Sequence, residues 1–370
     1  MLNMSWGNWA WMAAVLCCLS VWGASRQSKA PVLYDLSSIL VANSDSIPLL
    51  GGRFVPLPKI VFDRIQFVDE HPDANWEHAA RFRFFLKGRL IQEMPTRLPP
   101  KGLDRRWRIS PPTADDTTPT FKISGFDGKY RVKDASKHFA LLFSGNADDR
   151  HWNDFSFLYR TLTQVYGYSR ENILVGDSNF REKAGDLDGD GKTDILFGST
   201  LADLQGLMTS LTERMKKGDQ LLLVVNDHGS TKDGESTLIL ADNEIKASEF
   251  AALMKPLPTD RVLSVFEQCF SGGFVRPTVA AGRVSVAAST NREISWASDD
   301  GLFDEFLYLF TAAFAHQTHD GVPANADLDG NGRVSAREGF TYALGQDASS
   351  ESPFLESYVN TNSAFTLGFD

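Results

Sequence analysis

The stretch of sequence that decides the fold is VLSVFEQCFSGG, residues 262–273. Its first five residues are apolar except for Ser264 and are rich in β-branched and aromatic side chains, which is typical of a strand buried on both faces. Cys269 follows, and then the glycine-rich turn Ser271-Gly272-Gly273. The sequence therefore predicts a thiol at the carboxyl end of a core strand, where open parallel sheets bind their ligands.

A second core-strand pattern precedes a histidine. It is LLLVVN, residues 221–226, and it is followed by Asp227-His228-Gly229-Ser230. A Cys and a His that the fold brings together from separate strand ends are typical of a cysteine nucleophile and its base. The alternative is an inert buried thiol, the commonest fate of a lone Cys. The polar, glycine-rich turn around Cys269 favours a reactive one.

From residue 138 onward, predicted strands alternate with predicted helices. Apolar runs indicate further strands at 139–143, 172–175 and 283–287 and a hairpin at 238–241, and helical spacing indicates helices near 152–165, 201–215, 248–254 and 303–314. Gly167 and Gly218 are placed to end the first two helices, and Thr200 to cap the second. The alternation predicts an α/β fold with a mainly parallel sheet and helices on both faces. Arg150, His228, Cys269 and the loop 289–295 would then share one edge of that sheet.

The region before this α/β pattern has a different character. Within residues 30–120, strand-like runs at 54–68 and 80–94 are separated by polar breaks, and prolines punctuate the region. This pattern predicts a small β-rich N-terminal region that ends in a linker near residues 111–119. An accessory module, a prodomain and a lid are all compatible with it.

The first 25 residues are typical of an export signal. Residues 9–22 are apolar apart from Ser20 and too few to span a bilayer comfortably, and residues 23–25 are small enough for cleavage. We expect an exported protein, secreted or periplasmic; an uncleaved N-terminal anchor is the alternative. Cys17 and Cys18 would leave with the signal, so Cys269 would have no partner for an internal disulfide. The net charge of −10 argues against nucleic acid and anionic membranes as partners.

The two strand-end motifs resemble those of a known family. DHGS at 227–230 and EQCFSGG at 267–273 are similar to the active-site motifs of legumain-type asparaginyl endopeptidases, which are relatives of caspases and of the peptidase subunit of the glycosylphosphatidylinositol transamidase. The resemblance extends to SGNADDRHWND at 144–154 and STNREISWAS at 289–298, four motifs in the family's order. It implies a caspase-like peptidase domain over residues 138–320.

The resemblance also implies roles for individual residues. Cys269 would attack the scissile carbonyl as a thiolate, and His228 would protonate the leaving amine. The backbone N–H groups of Cys269 and Gly229 would bind the oxyanion. The implied reaction is cleavage of a protein or peptide through a thioester, without a catalytic cofactor. There are two alternatives. One is a transpeptidase that uses the same dyad, and the other is a non-catalytic calcium-binding protein with this fold.

The implied substrate pocket contains Arg150, Glu267 and Ser295. A guanidinium and a carboxylate that face each other suit the side-chain amide of Asn, because one donates to its oxygen and the other accepts from its nitrogen. Protonated Asp resembles that amide. A structural ion pair between Arg150 and Glu267 is the alternative interpretation, and Asp300 is a candidate for a further pocket carboxylate.

The sequence departs from the family at two places. Where legumains carry an Asn shortly before the pocket Arg, this chain has Asp148 and Asp149, so the residue that orients His228 is left open. Gln268, between Glu267 and the nucleophile, replaces a small residue.

Two further stretches resemble twelve-residue calcium loops. In the C-terminal segment, 321–370, a complete pattern ends on the usual Glu and has a Gly at its sixth position; its oxygen ligands would be Asp327, Asp329, Asn331, Arg333 (through its carbonyl), Ser335 and Glu338. An incomplete pattern has Phe197 in place of that Glu; its ligands would be Asp186, Asp188, Asp190, Lys192 (through its carbonyl) and Asp194. We expect structural Ca²⁺ at both, with Asp/Gly-rich surface turns as the alternative. Ser335 and Glu338 also form the pattern of a capping box that opens a helix.

Overall fold

A computed structural model describes residues 32–36, 46–49, 54–58, 62, 64–69, 80–97, 119–123, 128–145, 148–178, 185–349, 351–357 and 365–368. The predicted export signal, residues 1–25, lies outside the described residues, and so does the predicted linker except for Pro119. Among the described residues, no helix combines the length and the apolar character that crossing a membrane requires.

The first six strands lie before the α/β pattern. They are β1 (Val32–Leu36), β2 (Ser46–Pro48), β3 (Phe54–Pro56), β4 (Arg64–Asp69), β5 (Ala80–Leu86) and β6 (Arg89–Thr96). Four of them form an antiparallel sheet in the order β1-β4-β5-β6, and β2 pairs with β3. The buried side chains of this part include Phe67, Phe82 and Phe84, and they share a cluster with Ile239 from the later part of the chain.

The centre of the molecule is a six-stranded, mostly parallel sheet. The remaining strands are β7 (His138–Ser144), β8 (Ile173–Asp177), β9 (Gln220–Val225), β10 (Gly229–Lys232), β11 (Glu235–Ile239), β12 (Glu244–Lys246), β13 (Arg261–Phe266), β14 (Arg283–Ala287) and β15 (Phe354–Ser357). The central order is β15-β14-β13-β9-β7-β8, and only β15 runs antiparallel to its neighbour. Strand β13 contains the apolar run that the sequence predicted, and its last five residues are buried.

Beside this sheet lies a small antiparallel one. The sequence predicted a hairpin at 238–241, whereas the structure has three strands in the order β10-β11-β12. The difference arises because the first turn lies at Asp233-Gly234, where both residues have positive φ angles. Gly229 therefore begins a strand directly after His228, and the histidine is held between β9 and β10.

In the described part of the chain, six α-helices cover the two faces of the central sheet. They are α1 (Asp149–Arg160), α2 (Leu201–Arg214), α3 (Ala247–Met254), α4 (Gly272–Thr278), α5 (Glu305–Ala315) and α6 (Ala336–Gln346). Side chains of α1, α5 and α6 share one buried cluster with the sheet, and those of α2, α3 and α4 share the other. The mixed α/β fold with a mostly parallel sheet is thus as the sequence predicted.

The helix ends follow the sequence signals with one exception. Thr200 and Asp203 form the capping box of α2, and Gly167 ends the π-helical turn that continues α1, with a φ angle of 69°. Gly218 was predicted to end α2, but this helix already ends at Arg214 and Gly218 lies in the following turn. The apolar stripe continues to Met215, which is buried although it is no longer helical, so the hydrophobic pattern extends past the helix.

Candidate active site

The strand ends of β9 and β13 bring the histidine and cysteine segments into contact. These strands are parallel neighbours with Val225 opposite Phe266, and the pairing continues as the Glu267 N–H donates to the Val225 carbonyl at 2.9 Å. A Cβ on Gly229 would lie 2.0 Å from the carbonyl oxygen of Cys269, so only glycine fits there. The backbone of the His228 motif therefore packs directly against the backbone of the nucleophile candidate.

The Cys269 thiol is enclosed by one serine. Its Sγ accepts from the Ser295 N–H at 3.2 Å and lies 3.6 Å from the Ser295 Oγ and 3.7 Å from the carbonyl oxygen of the same residue. The residue is fully buried, and that burial raises the pKa of the thiol far above its usual value. In this conformation the sulfur is a protonated thiol, and attack on a substrate requires a base to remove its proton.

The two ring nitrogens of His228 differ in their partners. Its Nε2 lies 3.4 Å from Oδ2 of Asp148, whereas its buried Nδ1 has no hydrogen-bond partner. Asp227 fixes the backbone of this segment, because its carboxylate accepts from the N–H groups of His228 and Gly145. The residue that orients His228, which the sequence left open, is thus Asp148.

Asp148 also connects the imidazole to the pocket arginine. Its Oδ2 lies 2.9 Å from the Arg150 guanidinium, whose Nε donates to Asp304 Oδ1 at 2.9 Å. Desolvation opposes the charge of Asp148, but the charge of Arg150 and the hydrogen bond from His228 outweigh it and hold the pKa of Asp148 well below its usual value. An ionised carboxylate therefore faces the histidine at neutral pH.

Glu267 does not form the ion pair with Arg150 that was the alternative interpretation. Its Oε2 accepts from the Leu307 N–H at the start of α5 at 2.8 Å, and its buried Oε1 has no hydrogen-bond partner. Burial, followed by the charges of Glu351, Asp304 and Asp154, raises the pKa of Glu267 well above its usual value. Arg150 and Glu267 thus lie at the same strand edge without bonding to each other.

Two carboxylates at this site were missed from the sequence. Asp304, and not the candidate Asp300, bonds to Arg150; the Asp300 carboxylate accepts instead from Ser298 and Leu302 in its own turn. Glu351 comes from the segment after α6, and its Oε2 accepts from the Trp296 N–H at 2.8 Å. Asp304 lies within the helix predicted near 303–314 and directly precedes the observed helix α5, and Glu351 precedes an edge strand. Neither position carries a local signal for a pocket.

Gln268 is the second departure from the family, and it is fully buried. Its Cγ would lie 3.0 Å from a Cβ on Gly229, so it packs beneath the turn that carries the histidine. Neither its Oε1 nor its Nε2 has a hydrogen-bond partner.

The complete calcium pattern has its oxygens gathered in one place. Carboxylate oxygens of Asp327, Asp329 and Glu338 lie within 4.8 Å of one another. Asn331 and Arg333 continue the turn through backbone N–H bonds to the side chains of Asp329 and Asn331, at 3.0 and 2.9 Å. Ser335 and Glu338 form the expected capping box of α6. The donor set consists of oxygens at the usual spacing, and it fits a calcium ion.

The incomplete pattern is arranged differently. Asp186, Asp188 and Asp194 also offer oxygens within 4.8 Å of one another. The Arg170 guanidinium, however, contacts Asp188, and it lies 3.1 Å from Asp190 and 3.4 Å from Asp194. Lys192 adds a further ion pair with Asp190 at 3.1 Å. Side chains of the protein thus already balance much of the negative charge at this loop.

We expect the buried carboxyls to make the fold more stable in mild acid than at neutral pH. Burial raises the pKa of Asp154, Asp227, Glu267 and Glu351 well above the usual values, so the folded state holds their protons more tightly than the unfolded chain does. Their contribution is complete below the ordinary carboxyl pKa of about 4 and is lost as the pH rises through the folded values. Asp148, whose pKa is lowered, acts in the opposite direction, and so do His151 and His316, whose pKa values burial lowers to about 4. The test therefore compares the wild type with a variant that lacks one raised carboxyl.

The measurement is the melting temperature of wild-type protein and of Glu267→Gln between pH 5 and pH 8. The variant keeps an oxygen for the Leu307 N–H and removes the ionisation, so its melting temperature should depend less on pH. Glu213→Gln, on the exposed surface of α2, removes the same charge elsewhere and serves as the control. The same pH dependence of the melting temperature in the wild type and in Glu267→Gln would contradict the assignment.

Comparisons with known proteins identify no family for this chain. Neither a protein-family model nor a curated protein matches the sequence. Among solved structures, the chain is similar to the crystal structure of protein GSU0716 from Geobacter sulfurreducens, with 14% identity and a TM-score of 0.37 over 62% of this chain and 96% of the other. A likeness this weak supports no statement about function.

Proposed function

We propose that this chain is a cysteine endopeptidase of the legumain type with a caspase-like fold, and that it uses Cys269 and His228. The observation that carries the proposal is the contact between the two motif segments, in which Gly229 fits against the Cys269 carbonyl with no room for a side chain. Two motifs separated in sequence are brought to adjacent strand ends, as a dyad requires. Ser295, from the motif at 289–298, supports it through its contacts with the sulfur.

The proposed reaction runs through a thioester. The Cys269 thiol loses its proton to His228 Nδ1, the nitrogen without a hydrogen-bond partner, and the sulfur attacks the scissile carbonyl. The resulting oxyanion accepts from the backbone N–H groups of Cys269 and Gly229. The C–N bond then breaks as the imidazolium returns the proton to the leaving amine, and water hydrolyses the thioester. The Asp148 carboxylate lies 3.4 Å from Nε2 and holds the ring in position for this cycle.

Two alternatives remain proposals beside it. A transpeptidase would use the same dyad and replace the final water with an amine. A non-catalytic calcium-binding protein is favoured by one observation, namely that Cys269 is fully buried. A thiol-reactive peptide probe separates this last alternative from the enzymes, because it labels Cys269 only if a peptide can reach the sulfur. Failure to label the native protein would favour the non-catalytic alternative.

The proposed substrate is a peptide with Asn at the residue whose carbonyl is attacked, the P1 position. We expect cleavage after Asn at neutral pH, with cleavage after Asp gaining as the pH falls, because a protonated Asp side chain resembles the Asn amide. Profiling on a peptide library at pH 5 and pH 7 measures this. A preference for Arg or Lys at P1 would show that the pocket residues taken from the resemblance are wrong.

The remaining proposals concern the rest of the chain. Residues 1–25 would direct export, either as a cleaved signal or as an anchor, and residues 30–120 would form a separate module before the peptidase domain. Calcium would be structural: it would hold the turn at Asp327–Glu338 in place by neutralising its carboxylates, and it would take no part in the chemistry at Cys269.

A further inference from the structure

We infer that His151 is a positioning residue for His228: its ring packs against the His228 ring, and Ser144 and Asp304 hold it there through its two nitrogens. The inference rests on the proposed peptidase function and adds a residue to it. His151 acts through His228 and not on the substrate, and no role was predicted for it from the sequence.

The rings of His151 and His228 meet edge to face. Their centroids lie 5.7 Å apart and their planes are inclined by 67°, which is a preferred geometry for a pair of aromatic rings. His151 belongs to the first turn of α1 and is fully buried, whereas His228 lies between β9 and β10. A ring from the helix therefore limits the rotation of the imidazole that the sheet carries.

Both nitrogens of His151 face groups from other elements. Nδ1 lies 3.3 Å from the Oγ of Ser144, the last residue of β7. Nε2 lies 3.4 Å from Oδ2 of Asp304, which directly precedes α5. Because a carboxylate accepts hydrogen bonds and does not donate them, we assign the ring proton to Nε2, so that Nδ1 accepts from the Ser144 hydroxyl.

The two histidines are the ends of one network of alternating charge. Asp148 faces both His228 and Arg150. Asp304 likewise faces both Arg150 and His151. Two carboxylates and one guanidinium leave one negative charge unbalanced. If His228 takes the thiol proton, its imidazolium balances that charge, and a second imidazolium at His151 would be a buried excess.

His151 stays neutral in this network. Burial lowers its pKa to about 4, although the charge of Asp304 opposes this. Burial raises the pKa of further titratable groups near the network, which reduces the charge that they add; these groups are Asp154, Asp227, Glu267, Cys269 and Glu351. In the proposed reaction the exchanged proton is thus carried by His228, and His151 is the fixed, uncharged surface beside it.

The test replaces His151 with Ala and measures cleavage of an Asn peptide between pH 5 and pH 8. We expect kcat to fall by about tenfold, because the His228 ring loses the surface that orients it, and KM to change by less than about twofold. The acidic limb of kcat/KM should move to higher pH, because water that enters the vacated space solvates the charged imidazole of His228. A merely structural contribution would reduce the amount of active enzyme and leave this limb in place.

His316→Ala is the matched control. His316 follows α5, at the opposite end of that helix from Asp304. Its ring stacks on Tyr130 with centroids 3.8 Å apart, and burial lowers its pKa to about 4 as well. The control removes a packed, neutral imidazole outside the site, so its kcat and its acidic limb should equal those of the wild type.

NMR titration of the histidine ring signals gives a second readout that requires no turnover. We expect the midpoint of His228 to be higher in His151→Ala than in the wild type. We also expect the His151 signals of the wild type not to titrate between pH 5 and pH 8. Titration of His151 within this range would overturn the inference, because the ring would then carry charge beside His228.

The outcomes separate this inference from the proposed function. An active His151→Ala variant with an unchanged acidic limb and an unchanged His228 midpoint overturns the role of His151 and leaves the peptidase intact. A wild-type protein that cleaves no peptide overturns the proposed function and this role with it. If His151→Ala does not fold, Ser144→Ala removes the partner of Nδ1 and keeps the ring, and it should lower kcat in the same direction; an unchanged kcat there is equally decisive.

Discussion

Replacement of Cys269 with Ala is expected to reduce peptide cleavage by about a thousandfold or more, because the group that forms the thioester is lost. His228→Ala should cause a loss of similar size, because the proposed reaction assigns removal of the thiol proton to this imidazole. The two losses should not add when both residues are replaced, because nucleophile and base act as one unit. Steady-state cleavage of an Asn peptide by the purified variants measures all three.

Neither substitution should unfold the protein. Cys269→Ala removes one buried sulfur and leaves the Ser295 N–H without its acceptor, which costs about 1–3 kcal/mol. His228 packs at a strand end with one nitrogen unbonded, so its loss breaks the contact with Asp148 and the ring contact with His151. His138→Ala, at the amino end of β7 and thus the opposite edge of the sheet, is a control that should keep full activity. Appreciable turnover by folded Cys269→Ala protein would refute the peptidase proposal.

The core strands could be predicted because their signals are local. The run at 262–266 lies within β13 with only one residue added at its start, and 283–287 is β14 without change. A continuous apolar run indicates a strand of a parallel sheet, because helices cover both faces of such a strand. Once these strands are parallel neighbours, the positions of His228 and Cys269 at one edge follow from chain geometry alone. The same holds for the capping boxes of α2 and α6, whose signals span four residues.

The pocket contacts could not be predicted because they depend on long-range choices. Glu267 had two partners of suitable chemistry, the Arg150 guanidinium and an N–H at the start of α5, and the structure has the second. Arg150 in turn bonds to Asp148 and Asp304, and the 154 positions that separate Arg150 from Asp304 leave no trace in a sequence pattern. Glu351 reaches the site only because β15 pairs antiparallel at the sheet edge. An edge strand of four residues carries almost no signal of its own.

Contacts between residues far apart in sequence also decide how the two calcium patterns differ. The carboxylates at Asp186–Asp194 and at Asp327–Glu338 could be read directly from the sequence, but the cation beside the first could not. Arg170, which contacts Asp188, Asp190 and Asp194, lies sixteen positions before Asp186 in an unrelated turn. The loop at Asp186–Asp194 therefore has a cation beside its carboxylates that the sequence pattern does not reveal.

Removal of calcium is accordingly expected to destabilise the protein mainly through the loop at Asp327–Glu338. Three of its carboxylate groups approach within 4.8 Å, and without an ion their repulsion opposes folding. An ion that binds only the folded state stabilises it by about 2.7 kcal/mol at a hundredfold excess over its Kd. For a chain of this size, that corresponds to a melting temperature that is several degrees lower in a chelator than in calcium.

Two neutralising substitutions show which loop is responsible. Glu338→Gln removes the carboxylate that the complete pattern places at position twelve, and it should abolish most of the difference between calcium and chelator. Asp186→Asn makes the same change in the loop that Arg170 neutralises, and there the difference should persist. The two variants are matched in chemistry, so a general effect of lost charge would alter both equally. Melting curves that coincide in calcium and chelator at equal ionic strength, already in the wild type, would mean that neither loop is a calcium site of consequence.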